Sequence, residues 1–136
     1  MRPVFVDTFH WVAELNERDE WHSQSISARH RLRKRQLVTT EEVLSEVLAF
    51  FSNASTSMRT AAVEIVKAIM EARDIRVLPQ SHQSFVAGLE FYADRPDKQY
   101  SLTDCTSMAA MKEHRITDVL TYDHHFAQEG FNLLLR

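Results

Sequence analysis

The chain has 136 residues, of which 44% are apolar and 26% are charged, and its formal net charge at pH 7 is −3. These values predict a single globular domain over residues 1–136, with a core large enough to fold without disulfides. The mildly negative charge argues against a general nucleic-acid coat protein, but it allows an enzyme that meets nucleic acid in one cleft.

The cysteine content and the apolar runs predict where the protein works. Cys105 is the single cysteine, which excludes an internal disulfide and a cysteine-based zinc cluster. Asp7 interrupts the apolar start of the chain, so we expect no signal peptide. The later apolar runs are short and contain charges, so we expect no membrane span. A cytoplasmic protein fits these features best.

The first half of the chain alternates short apolar runs with helical patterns. The predicted elements are, in order, a strand over 3–6, a helix to about residue 15, a helix over 19–36, a strand over 37–38, a helix to about residue 51 and a helix over 57–72. Asp7 and Thr8 are suited to cap the first helix. Thr39 and Glu42 have capping-box spacing for the third. Trp21, Ile26 and Leu32 are the sparse apolar anchors expected in the charged second helix.

The second half continues this alternation. Its predicted elements are a strand over 75–78, a helix over 81–92, a loop over 93–100, a helix over 101–114 and strands over 118–121 and 132–135. Phe85, Leu89 and Tyr92 have the spacing of one face of a helix. Parallel strands need helical crossovers, so we expect a three-layer α/β/α sandwich around a parallel sheet.

Carboxylates recur at the predicted junctions of strands and helices. The candidates are Asp7, Glu46, Asp104 and Asp123. Each aspartate has a simpler explanation as a helix cap, which accepts hydrogen bonds from free backbone N–H groups. However, ligands of parallel α/β sheets bind at the carboxyl ends of the strands, where Asp7 and Asp123 lie. Converging carboxylates would raise one another's pKa unless a cation neutralised them, so the pattern predicts a Mg²⁺ or Mn²⁺ site.

Two further groups of residues invite a functional interpretation. The run over residues 28–36 contains Arg31, Lys34 and Arg35, which we expect either to form a solvated helix face or to contact RNA phosphates. Lys98 precedes the SLTD segment and is a further candidate for contact with the substrate.

The histidines favour a structural interpretation. His124 and His125 are adjacent, so their side chains point apart on a helix, and we expect a solvated or capping pair instead of two ligands of one ion. His10 follows Asp7 by one helical turn, where it would reach substrate or be partly buried. We expect a partly buried residue.

The segments VFVDT, TTEEVLSEVLAFF and YSLTDCTSMAAMKEHRITDVLTYDHHFAQEGFNLL resemble the PIN domain family, most closely its small single-domain VapC-type toxins. The resemblance implies RNA hydrolysis with Mg²⁺ or Mn²⁺, and an antitoxin partner. It places the metal-binding and catalytic acids at the four positions named above. Phe9 departs from the Asn or Ser that the family often has there, although Thr8 could supply a supporting polar group beside the metal ligands.

Two other functional classes have to be weighed against this interpretation, and the sequence also predicts an oligomeric state. A non-catalytic PIN-like scaffold that binds RNA or protein would share the same pattern. A phosphatase or receiver domain would need an acidic pair at the first strand and a mid-chain aspartate, but IRVLPQ contains no acid. The amphipathic helices between residues 43 and 72, with the resemblance, predict a homodimer.

Overall fold

The computed structural model describes residues 2–135, which form five strands and seven helices. In chain order these are β1 Val4–Val6, α1 Thr8–Leu15, α2 His22–Arg31, β2 Leu37–Thr40, α3 Glu41–Phe50, α4 Thr56–Glu71, β3 Ile75–Leu78, α5 His82–Ala93, α6 Leu102–Glu113, β4 Asp118–Leu120, α7 His124–Gln128 and β5 Asn132–Leu133. None of the helices in this range has the length and apolar character needed to cross a membrane.

The strands form one parallel sheet in the order β3-β2-β1-β4-β5. For this order the right-handed rule for parallel crossovers assigns α1 to α4 to one face and α5 to α7 to the other, and the contacts of α1 with α2, α3 and α4 and of α5 with α6 agree with this assignment. The prediction of an α/β fold with a parallel sheet is therefore confirmed. The central strand of the sheet, β1, is fully buried, and Asp7, which follows it, is buried as well.

The core lies on both faces of this sheet. Phe5, Trp11 and Phe126 are its largest fully buried aromatic side chains. Met108 and Met111 of α6 are also fully buried, so the face of α6 that carries Asp104 is packed against the protein interior.

The helix predicted over residues 19–36 is shorter in the structure. α2 covers His22–Arg31, and residues 32–36 form a turn into β2. Its buried residues are the small Ser25 and Ala28, whereas Ile26 is exposed and is not the anchor we expected. The other two expected anchors, Trp21 and Leu32, are partly buried and pack against the core.

A second correction concerns the start of α3. Thr39 belongs to β2, and its hydroxyl donates to the Val6 carbonyl at 2.9 Å. The cap is Thr40, whose hydroxyl accepts the Val43 N–H at 3.1 Å. The two threonines are neighbours with opposite orientations, because successive strand residues point to opposite faces.

The residues Phe85, Leu89 and Tyr92 lie on one helix, α5, as their spacing predicted, and they are exposed; the buried residues of this helix are Gly88 and Phe91. Differences from expectation also appear in the second half of the chain. The short helix α7 was not predicted. β4 ends at Leu120 and β5 at Leu133, earlier than expected.

Candidate metal centre

A cleft of about 530 Å³ opens at the carboxyl edge of the sheet. Three of the four predicted acids line it: Glu46 from α3, Asp104 from α6 and Asp123 at the start of α7. Asp7 lies behind them at the end of β1 and is only 1% exposed. The fold therefore brings acids from distant parts of the sequence to one place.

Asp7 is the most buried of the four carboxylates. Its Oδ2 accepts a hydrogen bond from the Thr121 hydroxyl at 2.9 Å. Burial, reinforced by the negative charge of Asp104, raises the pKa of Asp7 to about 8, although the Thr121 bond acts in the opposite direction. At neutral pH this carboxyl is therefore largely protonated unless a cation offsets its charge.

Asp104 is held by a capping box at the start of α6. Its Oδ2 accepts the Ser101 N–H at 3.1 Å, while the Ser101 hydroxyl accepts the Asp104 N–H at 3.0 Å. Burial first, and then the charges of Asp123 and Glu46, raise the pKa of Asp104. The capping hydrogen bond from Ser101 fixes where this carboxylate lies and, with the His125 contact, acts to lower its pKa, but burial and the neighbouring acids outweigh both.

Asp123 and Asp7 are joined through Thr121. The hydroxyl that donates to Asp7 also accepts the Asp123 N–H at 3.0 Å. Asp123 Oδ1 in turn accepts the His125 N–H at 3.0 Å and so caps α7. Thr121 was not among the candidate residues, and its signal in the sequence was modest: a hydroxyl residue directly after β4 and two residues before an acid.

His125 also reaches the acidic cluster. Its Nδ1 lies 3.3 Å from Asp104 Oδ2 and 3.5 Å from Asp123 Oδ1, and ligand atoms of these three residues lie within 4.8 Å of one another. The expectation that both histidines form a solvated or capping pair is wrong for His125. Adjacent side chains do point apart here, but that directs His125 into the cleft and leaves His124 exposed.

The residues present fit a hard divalent cation. Among the ion pairs formed within residues 2–135, none joins a Lys or Arg to any of the four acids. Thr8 also lines the cleft, and its buried hydroxyl has no hydrogen-bond partner among residues 2–135. Clustered carboxylate oxygens without a counter-charge are the donor set that Mg²⁺ and Mn²⁺ take.

Two other candidates lie outside the cleft lining. His10 is fully buried and its Nε2 lies 2.8 Å from Glu14 Oε2, so it has no access to substrate. Arg35 Nη2 donates to Asp118 Oδ2 at 2.7 Å. Because Asp118 is the first residue of β4, this pair lies at the amino edge of the sheet, and the placement argues against the phosphate contact predicted for Arg35.

The remaining basic candidates are exposed. Arg31 and Lys34 lie at and just after the end of α2, in the stretch that leads to the amino end of β2. Lys98 precedes Gln99, a residue of the cleft lining, and itself lines a separate small pocket with Arg95 and Tyr100. Of the predicted phosphate contacts, Lys98 is therefore the nearest in sequence to the cleft lining.

Comparisons with known proteins agree with this architecture. The PIN domain family model matches residues 4–132. No curated protein gives a significant match to the sequence. The structure is similar to the crystal structure of VapC20 from Mycobacterium tuberculosis, described as a sarcin-ricin loop cleaving toxin, with a TM-score of 0.81 and 24% sequence identity over 98% of this chain and 99% of that one.

Proposed function

We propose that this chain, which belongs to the PIN domain family, is a metal-dependent endoribonuclease. The observation that carries the proposal is Asp7, a buried carboxyl with a pKa of about 8 beside Asp104 and Asp123. A protein gains nothing in stability from three crowded acids at a sheet edge. The arrangement is accounted for if a divalent cation binds there.

The four acids Asp7, Glu46, Asp104 and Asp123 would hold one or two Mg²⁺ or Mn²⁺ ions. When bound, such an ion neutralises charge on the attacked phosphate and makes a water molecule more acidic at neutral pH. The surrounding hydrogen bonds supply the preorganisation. Thr121 fixes Asp7 relative to Asp123, and the Ser101 capping box fixes Asp104. Thr8 contributes a buried hydroxyl beside these ligands.

The rim of the cleft suits unpaired RNA. Phe9 and Phe50 line it and are 39% and 58% exposed, so their rings are accessible to bases. Single-stranded nucleic acids bind by stacking bases on aromatic rings and by placing phosphates near basic groups. We assign the second role to Lys98, which immediately precedes the cleft residue Gln99. Phe9, which departs from the usual Asn or Ser of the family, thereby gains a function in substrate binding.

The toxin role rests on the structural neighbour. VapC20 is described as a toxin that cleaves the sarcin-ricin loop, and we extend to this chain the general features of a growth-inhibiting ribonuclease, a cytoplasmic location and an antitoxin that restrains it. Induced expression in a bacterial host should arrest growth, and Asp7→Asn should relieve the arrest. Growth unaffected by the unsubstituted chain would contradict the toxin role but not the ribonuclease activity.

The ribonuclease activity is tested with metal-stripped protein. We expect no cleavage of a mixed RNA, with a sarcin-ricin loop fragment included, until Mg²⁺ or Mn²⁺ is added. Asp7→Asn and Asp104→Asn should each lower the rate by at least about 100-fold, the scale for loss of one group that stabilises transition-state charge. Asp74→Asn, an exposed aspartate just before β3, is the matched control and should leave the rate unchanged.

Two results would overturn the assignment. Cleavage that is indifferent to chelator, or that survives in Asp7→Asn, would remove the metal centre from the reaction. Metal-independent RNA binding without cleavage would instead support the non-catalytic scaffold.

A further inference from the structure

We infer that Nδ1 of His125 is a ligand of the same cation as Asp104 and Asp123, and that this nitrogen gives the site a preference for Mn²⁺ over Mg²⁺. The inference rests on the proposed function in one respect, that the cleft holds a divalent cation. It goes further in assigning His125 as a ligand, and in stating which of Mg²⁺ and Mn²⁺ the donor set favours.

The spacing of the donor atoms supports coordination. His125 Nδ1 is 3.3 Å from one Asp104 oxygen and 3.5 Å from one Asp123 oxygen. Two ligands at right angles, each about 2.1 Å from an ion, are about 3 Å apart. Small side-chain rotations therefore suffice to bring the nitrogen and both oxygens onto one ion.

The imidazole is also held in this orientation from two sides. Its ring packs at a tilt of 58° against Tyr100, with 5.2 Å between the ring centroids. The Tyr100 hydroxyl donates to Glu129 Oε2 at 2.9 Å, which fixes the tyrosine in turn. The His125 backbone N–H is bound to Asp123 Oδ1 in the α7 cap. Because ring and backbone are both restrained, coordination costs little conformational entropy.

The chemistry of the donor then sets the metal preference. Mg²⁺ is a hard ion that favours carboxylate oxygens and retains water, and it gains little from imidazole. Among first-row divalent ions, affinity for nitrogen-containing sites rises from Mn²⁺ towards Cu²⁺, and imidazole is a common ligand of these metals. A site with several carboxylates and one imidazole therefore binds Mn²⁺ more tightly than an all-oxygen site would, while its affinity for Mg²⁺ is almost unchanged.

The alternative role for His125 is a hydrogen bond to the carboxylates without coordination. In that case the imidazole acts on the ion only through the acid oxygens, so its removal would change the affinities for Mn²⁺ and Mg²⁺ by the same factor. The two roles therefore predict different metal selectivities for the same substitution.

The experiment compares His125→Gln with His124→Gln, since Gln retains a polar side chain and His124 is the exposed neighbour. Calorimetry on metal-stripped protein should show that His125→Gln weakens Mn²⁺ binding by about tenfold or more, with less than about a threefold change for Mg²⁺. His124→Gln should bind both ions as the unsubstituted protein does. Pulsed electron paramagnetic resonance of the Mn²⁺-loaded protein should show coupling to a directly bound ¹⁴N that only His125→Gln removes.

The spectrum of the unsubstituted chain is decisive even if a variant folds poorly. Bound Mn²⁺ without ¹⁴N coupling overturns the His125 assignment and leaves the proposed ribonuclease intact. Equal losses of Mn²⁺ and Mg²⁺ affinity in His125→Gln overturn the selectivity. If the protein binds no divalent ion, both the inference and the metal-dependent function fail, and the calorimetry shows this directly.

Discussion

At the scale of single residues, Asp7 links the stability of the protein to its proposed chemistry. The carboxyl follows the most buried strand of the sheet and is itself buried, so ionising it without a cation is costly. The Thr121 hydroxyl offsets part of that cost, but burial and Asp104 dominate and the pKa remains at about 8. Function and stability should therefore respond in opposite directions when this charge is removed.

The metal-free protein should lose stability as pH rises. The folded-state pKa of Asp7 is about 8 against a model value of 3.8, so between these values the folded protein binds more protons at this site than the unfolded chain does. Each pH unit in that window should lower the free energy of unfolding by up to about 1.4 kcal/mol. Denaturant unfolding in chelator measures the slope.

Asp7→Asn isolates this contribution from the histidines that titrate in the same range. The variant should be more stable than the unsubstituted protein at about pH 8 in chelator, and its stability should depend less on pH. Mn²⁺ should raise the stability of the unsubstituted protein alone. Identical pH slopes for the two proteins would contradict the buried, uncompensated charge.

The place of a residue in the fold could be predicted where the local sequence determines it. Acids directly after apolar strands were placed at the carboxyl edge of the sheet because parallel strands share that edge. For His125 and Arg35 the deciding partner is distant in sequence: Asp104 lies 21 residues before His125, and Asp118 lies 83 residues after Arg35. No local spacing encodes such a contact.

At the scale of elements, the contact between α5 and α6 positions Asp104. Gly88 of α5 faces Thr106 of α6, and a Cβ on Gly88 would lie 2.5 Å from Thr106 Oγ1 and 3.2 Å from Thr106 Cα. The glycine therefore permits a close approach of two helices, one of which carries a proposed metal ligand two residues from the contact.

Gly88→Ala should destabilise the protein by about 1–3 kcal/mol through overpacking. This is expected although alanine favours helix over glycine by about 1 kcal/mol. The double variant Gly88→Ala/Thr106→Ala should recover part of the loss, because the nearest clashing atom is removed. Urea unfolding of both variants and of Thr106→Ala gives the free energies needed for a double-mutant cycle. A stabilised Gly88→Ala would show that the helices separate at no cost.

Element boundaries were predictable to the extent that capping residues were. The predicted capping box of Ser101 and Asp104 is confirmed. It could be predicted because both residues of the motif lie within four positions of each other. The exposed face of α5 was unpredictable for the opposite reason. Its pattern of large apolar residues indicates burial, yet α6 meets the other face through Gly88 and Phe91. The choice of face depends on tertiary packing that the spacing does not contain.

At the scale of the whole molecule, the acidic cleft and the Arg35–Asp118 pair lie at opposite edges of the sheet. Lys98 immediately precedes Gln99 of the cleft lining, and the turn containing Lys34 leads to the opposite edge. We expect Lys98→Gln to reduce the salt dependence of short RNA binding by about one unit of slope. Arg31→Gln/Lys34→Gln should leave that slope unchanged. A reduced slope only in the double variant would restore the phosphate contact first predicted for the basic run.

The exposed apolar row on α5 gives the predicted homodimer a candidate interface. Phe85, Leu89 and Tyr92 lie one to two helical turns apart, and Leu89 at the centre is 47% exposed. Two copies would bury these rows against each other, as an isologous contact allows. Light scattering should return twice the 15.8 kDa mass of the chain.

Leu89→Lys should convert this dimer to a monomer, because it places a charge at the centre of the apolar row. Ile26→Lys on α2 is the matched control, since Ile26 is comparably exposed and should leave the dimer intact. The acids that line the cleft all come from one chain, so the Leu89→Lys monomer should retain RNA cleavage. A monomeric unsubstituted protein at micromolar concentration would contradict the dimer, and a dimer that survives Leu89→Lys would place its interface elsewhere.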